Sequence, residues 1–421
     1  MPTPPPELRT EIPGPRSRAL AARLERVESR NVTCLEPPPI FWERAQGASV
    51  WDVDGNRFVD LGGGFGVANA GHAHPAVVDA VASQAGQLMH AMGDVHPPAL
   101  KVELLEALAA RFPGGGEARA VLGSSGSDAV EIALKTAHLA TGAAGVIAFD
   151  GGYHGLALGS LDATWREDFR TPFTERLPGR SSFAGYGDVE DVVRVASMAR
   201  ASIGAVLVEP IQGRGGERVP PPGFLRALRE LCDQQNWLLI VDEVYTGFGR
   251  TGRWFACEHE AVVPDLLCVA KGLASGMPIS ACVGRASVMD AWPTSRGEAL
   301  HTQTFLGHPP GCAAALASLR VIEEEKLVER SAELGEWALG FLRDAVREGS
   351  RIRESRGRGL MIGVECDTGE SAALAATRAL EQGFILLPSG EGGRVLSITP
   401  PLVIGREALE SGLRAVVECL A

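Results

Sequence analysis

Between about residue 100 and residue 300 the chain repeats one pattern: a short apolar run, a polar or glycine-rich turn, then a helix-length amphipathic stretch. Apolar runs without alternation are strands covered on both faces, and strands spaced by helices join in parallel through crossovers. The runs are Ala118–Leu122, Gly145–Phe149, Ala205–Val208, Trp237–Val241, Leu266–Ala270 and Ile279–Val283. Asp128–Leu139 and Gly223–Gln234 read as helices, the second announced by Pro220-Pro-Pro-Gly223. A parallel sheet gathers its functional groups at the carboxyl ends of its strands. Ser124, Glu209, Asp242 and Lys271 all fall at such ends.

Outside this stretch the pattern changes. Residues 319–345 carry the period of one long helix, with the acidic run Glu323-Glu-Glu325 on its solvent face. Strand-like pieces follow at Gly359–Glu365 and Arg394–Ile398, then a closing helix near Arg406–Leu420. They predict a smaller α+β domain, completed by N-terminal residues that include the strand Ser49–Asp52. The expected division is 1–60 for an N-terminal part of the small domain, 61–318 for a large domain and 319–421 for the C-terminal small domain. The proline-rich start, Met1-Pro-Thr-Pro-Pro-Pro6, is expected to be mobile.

At 421 residues the chain has the length for two domains and a large core. Its formal net charge of −12 speaks against nucleic acid or an anionic membrane as partner, since both need a basic face. No apolar run approaches the roughly 20 residues of a membrane span, and the first residues lack a basic-then-apolar signal pattern. The eight cysteines form no CxxC pair and the nine histidines no HExxH, so neither a disulfide frame nor a metal site is expected. These properties predict a cytoplasmic enzyme acting on a small molecule.

Lysine is rare: only Lys101, Lys135, Lys271 and Lys326 occur. Lys271 ends the apolar run Pro264-Asp-Leu-Leu-Cys-Val-Ala-Lys271 and meets a glycine-rich turn. Desolvation there favours a neutral amine that can attack a carbonyl, the chemistry of a Schiff-base lysine. Asp242 closes Trp237-Leu-Leu-Ile-Val-Asp242, where a carboxylate needs a positive partner. A protonated pyridine nitrogen is one such partner; a salt bridge or a helix to cap is another. Val244 projects to the same side, suited to pack on a ring face. Ser125-Gly126-Ser127 opens a helix and offers hydroxyls and free N–H groups to a phosphate, or simply a cap. Tyr153, in the turn Gly151-Gly-Tyr153-His154-Gly155, is either a stacking platform or a packed loop aromatic.

Together these blocks resemble a class III pyridoxal-phosphate-dependent aminotransferase of fold type I, the group of ornithine, acetylornithine and 4-aminobutyrate aminotransferases. The resemblance runs from Trp51-Asp-Val-Asp-Gly55 to Pro400-Pro-Leu-Val-Ile404. It is carried by Gly71-His72 to Pro75, Ser125-Gly-Ser127, Tyr153-His-Gly155, Val208-Glu-Pro-Ile-Gln-Gly213, Asp242-Glu-Val244, Gly247-Phe-Gly-Arg-Thr-Gly252 and Lys271-Gly272. It implies an α/β fold with a mostly parallel seven-stranded sheet between helices, a smaller α+β domain, and pyridoxal 5′-phosphate as cofactor. By the same resemblance Lys271 holds the cofactor as a Schiff base and moves the proton in ping-pong half-reactions between an amino donor and an oxo acceptor. Asp242 then holds the pyridine nitrogen's proton, Tyr153 and Val244 flank the ring, and Ser125, Gly126 and Ser127 bind the phosphate. His154 and Glu209 belong to the same cofactor set. His301-Thr-Gln-Thr-Phe305 matches a loop that reaches the neighbouring subunit's phosphate, which implies a homodimer with Thr304 acting across the interface.

The chain also departs from that pattern. Tyr245 stands where the family often has a glutamine beside the cofactor 3-hydroxyl, a bond that a phenol can still donate. His308 replaces an asparagine, and Arg214 falls where Gln-Gly-Glu-Gly-Gly is common. Ser397, in Arg394-Val-Leu-Ser397-Ile-Thr-Pro-Pro401, replaces an arginine that grips glutamate's α-carboxylate and otherwise pairs with a glutamate matching Glu209. Either Arg214 or Arg394 pairs Glu209 instead, or Glu209 is free and the donor is another amino acid, an amine or an amino sugar. The missing clamp also leaves a racemase or aminomutase of the same fold as the alternative; a non-catalytic scaffold is the remote one. Trp42 and Phe65, with Phe41 and Met92, are candidate aromatic walls of a substrate pocket, to which Arg214 and Ser397 also belong.

Overall fold

The computed structural model describes residues 3–346 and 350–421. Its largest sheet has seven strands in the order Ala118–Gly123, Ser280–Arg285, Leu266–Val269, Leu238–Asp242, Ile203–Val208, Gly145–Phe149, Ser181–Ala184. Ser280–Arg285 runs antiparallel to both its neighbours, and every other pair is parallel. Gly145–Phe149 and Ile203–Val208 are buried along their whole length, so their sequences show no alternation. The six expected strands agree with the observed ones to within two residues. The edge strand Ser181–Ala184 was not anticipated, because Ser-Ser-Phe-Ala carries little apolar signal.

The helix Gly126–Thr141 covers one face with Ala129, Val130, Ile132, Ala133 and Ala137, and stops at Gly142, whose φ of +70° suits a residue without Cβ. Residues 319–345 are not one helix, contrary to expectation. Pro309–Glu324 and Leu327–Ala345 are separate, broken where Lys326 takes a φ of +52°. The first is buried nearly all round up to Leu319 and the second buries one face, so apolar residues continue across the break and hide it. His308 caps the first of them, its Nδ1 accepting from Gly311 N–H at 3.2 Å.

Two smaller sheets complete the chain. Trp42–Gln46, Ser49–Asp52 and Arg57–Asp60 form one, with Phe384–Ile385 added parallel to Arg57–Asp60, so the two ends of the sequence share a sheet. The other is antiparallel, in the order Ile352–Arg358, Met361–Cys366, Val395–Ile398, Leu387–Ser389. The proline-rich start, expected to be mobile, is tied down at Glu7, which exchanges backbone hydrogen bonds with Arg57; Met1 and Pro2 lie outside the described residues. The turn Gly247–Gly252 is architectural. Its fully buried Arg250 donates to the carbonyls of Leu360 and Pro400 and to Asn69 Oδ1, joining the large sheet's side to the small one.

Candidate active site

A cavity of about 590 Å³ lies at the carboxyl ends of the parallel strands, closed on its far side by the antiparallel sheet. Ser125, Gly126, Ser127, Tyr153, His154, Glu209, Arg214, Asp242, Val244, Tyr245, Lys271 and Ser397 all line it, together with Phe65. Residues as far apart in sequence as Phe65 and Ser397 thus meet in one space.

Lys271 opens a short 3-10 turn after its strand, with a φ of +28°. The following Gly272 packs so closely on Asn69 that an added Cβ would sit 2.3 Å from Nδ2, which explains the Lys-Gly pair. The Lys271 Nζ is 4.4 Å from the centre of the Tyr245 ring. Burial lowers its ammonium to about 8 against the opposing pull of Asp242 and Glu209, while Arg214 lowers it further. A basic group near neutrality is what amine attack on a carbonyl requires.

Asp242 is buried and held twice: Oδ2 lies 2.7 Å from His154 Nδ1, and Oδ1 accepts from Val244 N–H at 3.0 Å. Burial alone would lower the His154 imidazole, yet the hydrogen bond and charge of Asp242, with Glu209 adding, leave it raised. The pair fixes the carboxylate's direction. Opposite it, Ser125 caps the Gly126–Thr141 helix by accepting from Asp128 N–H, and Ser127 Oγ accepts from Leu156 N–H at 3.2 Å. The first N–H groups of that helix have no intrahelical partner and point toward anions.

Glu209 is buried as well. Its Oε1 accepts from Tyr153 N–H at 2.9 Å and its Oε2 from Gly213 N–H at 3.1 Å. Burial lifts its carboxyl to about 7; His154 and the two N–H groups oppose the rise and Asp242 adds to it. Among the described residues neither Arg214 nor Arg394 forms an ion pair with it, so that expectation is not met. Arg214 instead lies over the Tyr153 ring at 4.8 Å and over Phe169 at 5.9 Å. Tyr245 is wedged between Gly66 and Gly213. Its hydroxyl is 3.1 Å from Thr399 Oγ1, whose own proton goes to the Gly62 carbonyl, so the phenol must donate to Thr399. That commits the proton which the sequence reading assigned to a cofactor hydroxyl.

Trp42 stands outside its own chain's cavity wall, exposed and edge-on to His72 at 5.7 Å, and neither Phe41 nor Met92 lines that cavity. Thr304 is exposed and also lies outside its own chain's cavity. Sequence reading missed Glu217, Ser389 and Thr399. Glu217 is completely buried, its Oε1 accepting from Ser397 Oγ at 2.7 Å and its Oε2 from Ser389 Oγ at 3.1 Å. Burial raises its carboxyl to about 8, opposed by the two hydroxyls and Arg356 and reinforced by Glu209.

The family model described as aminotransferase class-III matches residues 32–420. The chain is 41% identical to the acetylornithine aminotransferase of Methanopyrus kandleri, covering 91% of this chain and 94% of that one. It is 40% identical to the 5-aminovalerate aminotransferase of Pseudomonas aeruginosa over 90% of this chain and 93% of that one. The ornithine aminotransferase structure from Toxoplasma gondii superposes with a TM-score of 0.88 at 32% identity, covering 98% and 96% of the two chains. The chain belongs to the class III aminotransferases, with the fold type I architecture of that group. It is an enzyme that transfers an amino group with pyridoxal 5′-phosphate as cofactor. The residues suit that cofactor: a buried lysine, a buried carboxylate held by an imidazole, and a serine-flanked helix N-terminus face one cavity.

Proposed function

We propose that this aminotransferase draws its amino group from a donor other than one gripped by an arginine carboxylate clamp: an amine, an amino sugar or a different amino acid. The observation that carries this reading is the state of Glu209 and Ser397. Both Glu209 oxygens rest on backbone N–H groups, and Ser397 is hydrogen-bonded to Glu217.

Pyridoxal phosphate, when bound, supplies an electron sink for negative charge at the carbon next to the transferred nitrogen. The protein supplies the rest. Lys271 is the amine that anchors the cofactor and carries a proton to and from the substrate carbon, a role suited to a base lowered to about 8. Asp242, kept in place by His154, holds the proton of the pyridine nitrogen. Ser125, Gly126 and Ser127 hold the phosphate at the helix N-terminus, and Tyr153 and Val244 flank the ring.

The same reading makes the active unit a homodimer in the cytoplasm. Thr304 is exposed near Met89, Met92, Val95, Leu300 and Phe305, exposed apolar residues on two segments joined by the Thr302–Asp94 hydrogen bond of 2.7 Å. Seven of the eight thiols are buried and all eight are free, which suits a reducing compartment. The proposed domains are 1–60 with the C-terminal part, and a large domain from 61. The second boundary moves from 318 to the Glu325–Lys326 turn, since Pro309–Glu324 packs on the helices Pro75–Gln87 and Ala99–Ala109.

The test is a spectral half-reaction. Holoenzyme mixed with glutamate should keep its yellow absorbance, while a suitable amine should bleach it. Rapid bleaching by glutamate would show that its carboxylate is recognised by another route.

A further inference from the structure

Gln303 reaches across 175 residues of sequence to the first turn of the helix Gly126–Thr141. Its Nε2 donates to Asp128 Oδ2, and its Oε1 lies 2.8 Å from Ser124 Oγ. The same Asp128 Oδ2 accepts from Ser124 N–H at 2.9 Å, which closes a ring of Ser124, Asp128 and Gln303. An ionised carboxylate only accepts, so the amide turns its NH2 to Asp128 and the Ser124 hydroxyl must donate to Oε1. Gly123 makes room for the ring: an added Cβ there would lie 2.7 Å from Asp128 Oδ2. Beside Gln303, Thr302 donates to Asp94 Oδ2 at 2.7 Å, which holds the arm in place.

Asp128 needs that hold. It follows Ser127, where the unpaired N–H groups of the helix start attract any anion, the side chain of Asp128 included. Burial would raise its carboxyl, but His301, the Ser124 N–H and Gln303 together leave it lowered. His301 is aligned by Lys135. The ammonium lies 3.1 Å from Nδ1 and can only donate, so the ring's proton sits on Nε2, which is 3.6 Å from Asp128 Oδ1. The carboxylate is thus drawn toward Ser124 and the 301–303 arm, while Ser125, Gly126 and Ser127 face the cavity.

We infer that Gln303 is a positioning residue of the cofactor's phosphate site: it holds the Asp128 carboxylate and the Ser124 turn so that Ser125, Gly126 and Ser127 keep their hydroxyls and N–H groups for the phosphate. Without this amide, Oδ2 loses a donor and the Ser124 hydroxyl its acceptor. A released acid at the third helical position reaches back for the N–H of the capping residue, here Ser125, as in a capping box. It then takes a donor from the phosphate and sets a like charge against it. This rests on the reading above that Ser125, Gly126 and Ser127 hold the phosphate, and adds the residue that keeps them available.

The experiment titrates the full chain, freed of cofactor, with pyridoxal 5′-phosphate and with pyridoxal, which has no phosphate, and reads binding by the yellow absorbance. Gln303→Ala should weaken pyridoxal phosphate by about 10- to 100-fold, the scale of one charge-assisted hydrogen bond, and leave pyridoxal little changed. Adding Asp128→Asn to Gln303→Ala should restore part of the lost affinity, because the competing charge is gone. Unchanged pyridoxal phosphate affinity in Gln303→Ala would overturn the inference. So would equal weakening of both ligands, the mark of a purely structural role, or a double variant that restores nothing. Wild-type enzyme that binds both ligands equally, or Ser127→Ala that costs no affinity, sinks the phosphate reading itself. A loss in Ser127→Ala with none in Gln303→Ala sinks the role of Gln303 alone.

Discussion

The two halves of the cavity are built on different terms. On the cofactor side each functional group already has a protein partner: Asp242 has His154 and Val244 N–H, Ser127 has Leu156 N–H, and Ser125 caps its own helix. On the donor side Glu209 and Glu217 are buried and, among the described residues, form no ion pair; Glu217 accepts from two serine hydroxyls. A half that always receives the same molecule can be fixed in advance, because its charges will be met in one geometry. A half that must discriminate leaves charge to be completed by the right substrate and penalised by the wrong one.

The largest break of that contrast is at the fixed side. Lys271→Ala should abolish turnover while leaving noncovalent cofactor bound, read by activity assay together with cofactor stoichiometry; measurable turnover would refute the assignment. Asp242→Asn keeps the shape and removes the charge, and should lower kcat by about 1000-fold. His154→Asn acts only by positioning Asp242, so its cost should be smaller, about 10- to 100-fold, with a changed pH–rate profile. A His154 variant as damaged as Asp242→Asn would mean the imidazole does more than orient.

The next tests sharpen the variable side. Ser397→Arg places a guanidinium beside Glu217 and should raise the half-reaction rate with glutamate while lowering that with amines, measured in the same spectral assay. No gain with glutamate would show that the serine position does not set donor charge.

The smallest effect is on stability. Glu217 has its folded-state pKa raised to about 8 by burial, from an ordinary value near 4.5. The folded state therefore holds the proton more tightly than the unfolded chain, and stability is lost as pH climbs through this window. Glu217→Gln removes that loss. Without substrate, the variant should match the wild type in thermal midpoint near pH 4.5 and exceed it by a few degrees at pH 9. A gap that widens toward low pH instead would mean that the carboxyl is ionised when folded.

Much of the fixed side was legible in the sequence. An apolar run that stops at Asp242, Glu209 or Lys271 marks a strand end, and in a parallel sheet strand ends share one edge. The place of Ser125-Gly-Ser127 on the cavity, where it is proposed to hold the phosphate, was legible for the same reason, since it sits between a strand and a helix. Glu217 was not. It lies in Gly213-Arg-Gly-Gly-Glu217-Arg218, which reads as a polar surface turn. Its burial comes from Ser397, 180 residues away, and from Gly363 on the neighbouring strand. Trp42 differs in the opposite sense: a large aromatic that its own chain leaves exposed, outside its own cavity. Tyr245 was found on the cavity, but the contact of its hydroxyl with Thr399, 154 residues away, was not legible.

The order of residues alone determined a sheet crossed by helices and the strand ends at which Lys271, Asp242 and Glu209 emerge. Those follow from local hydrophobicity and the direction of the chain, which any short window contains. Tertiary structure alone decided which carboxyls have lost water without forming an ion pair, and that the hydroxyls of Ser389 and Ser397 both donate to Glu217. Desolvation and proton sharing depend on atoms brought together from distant strands, and no window of sequence holds them.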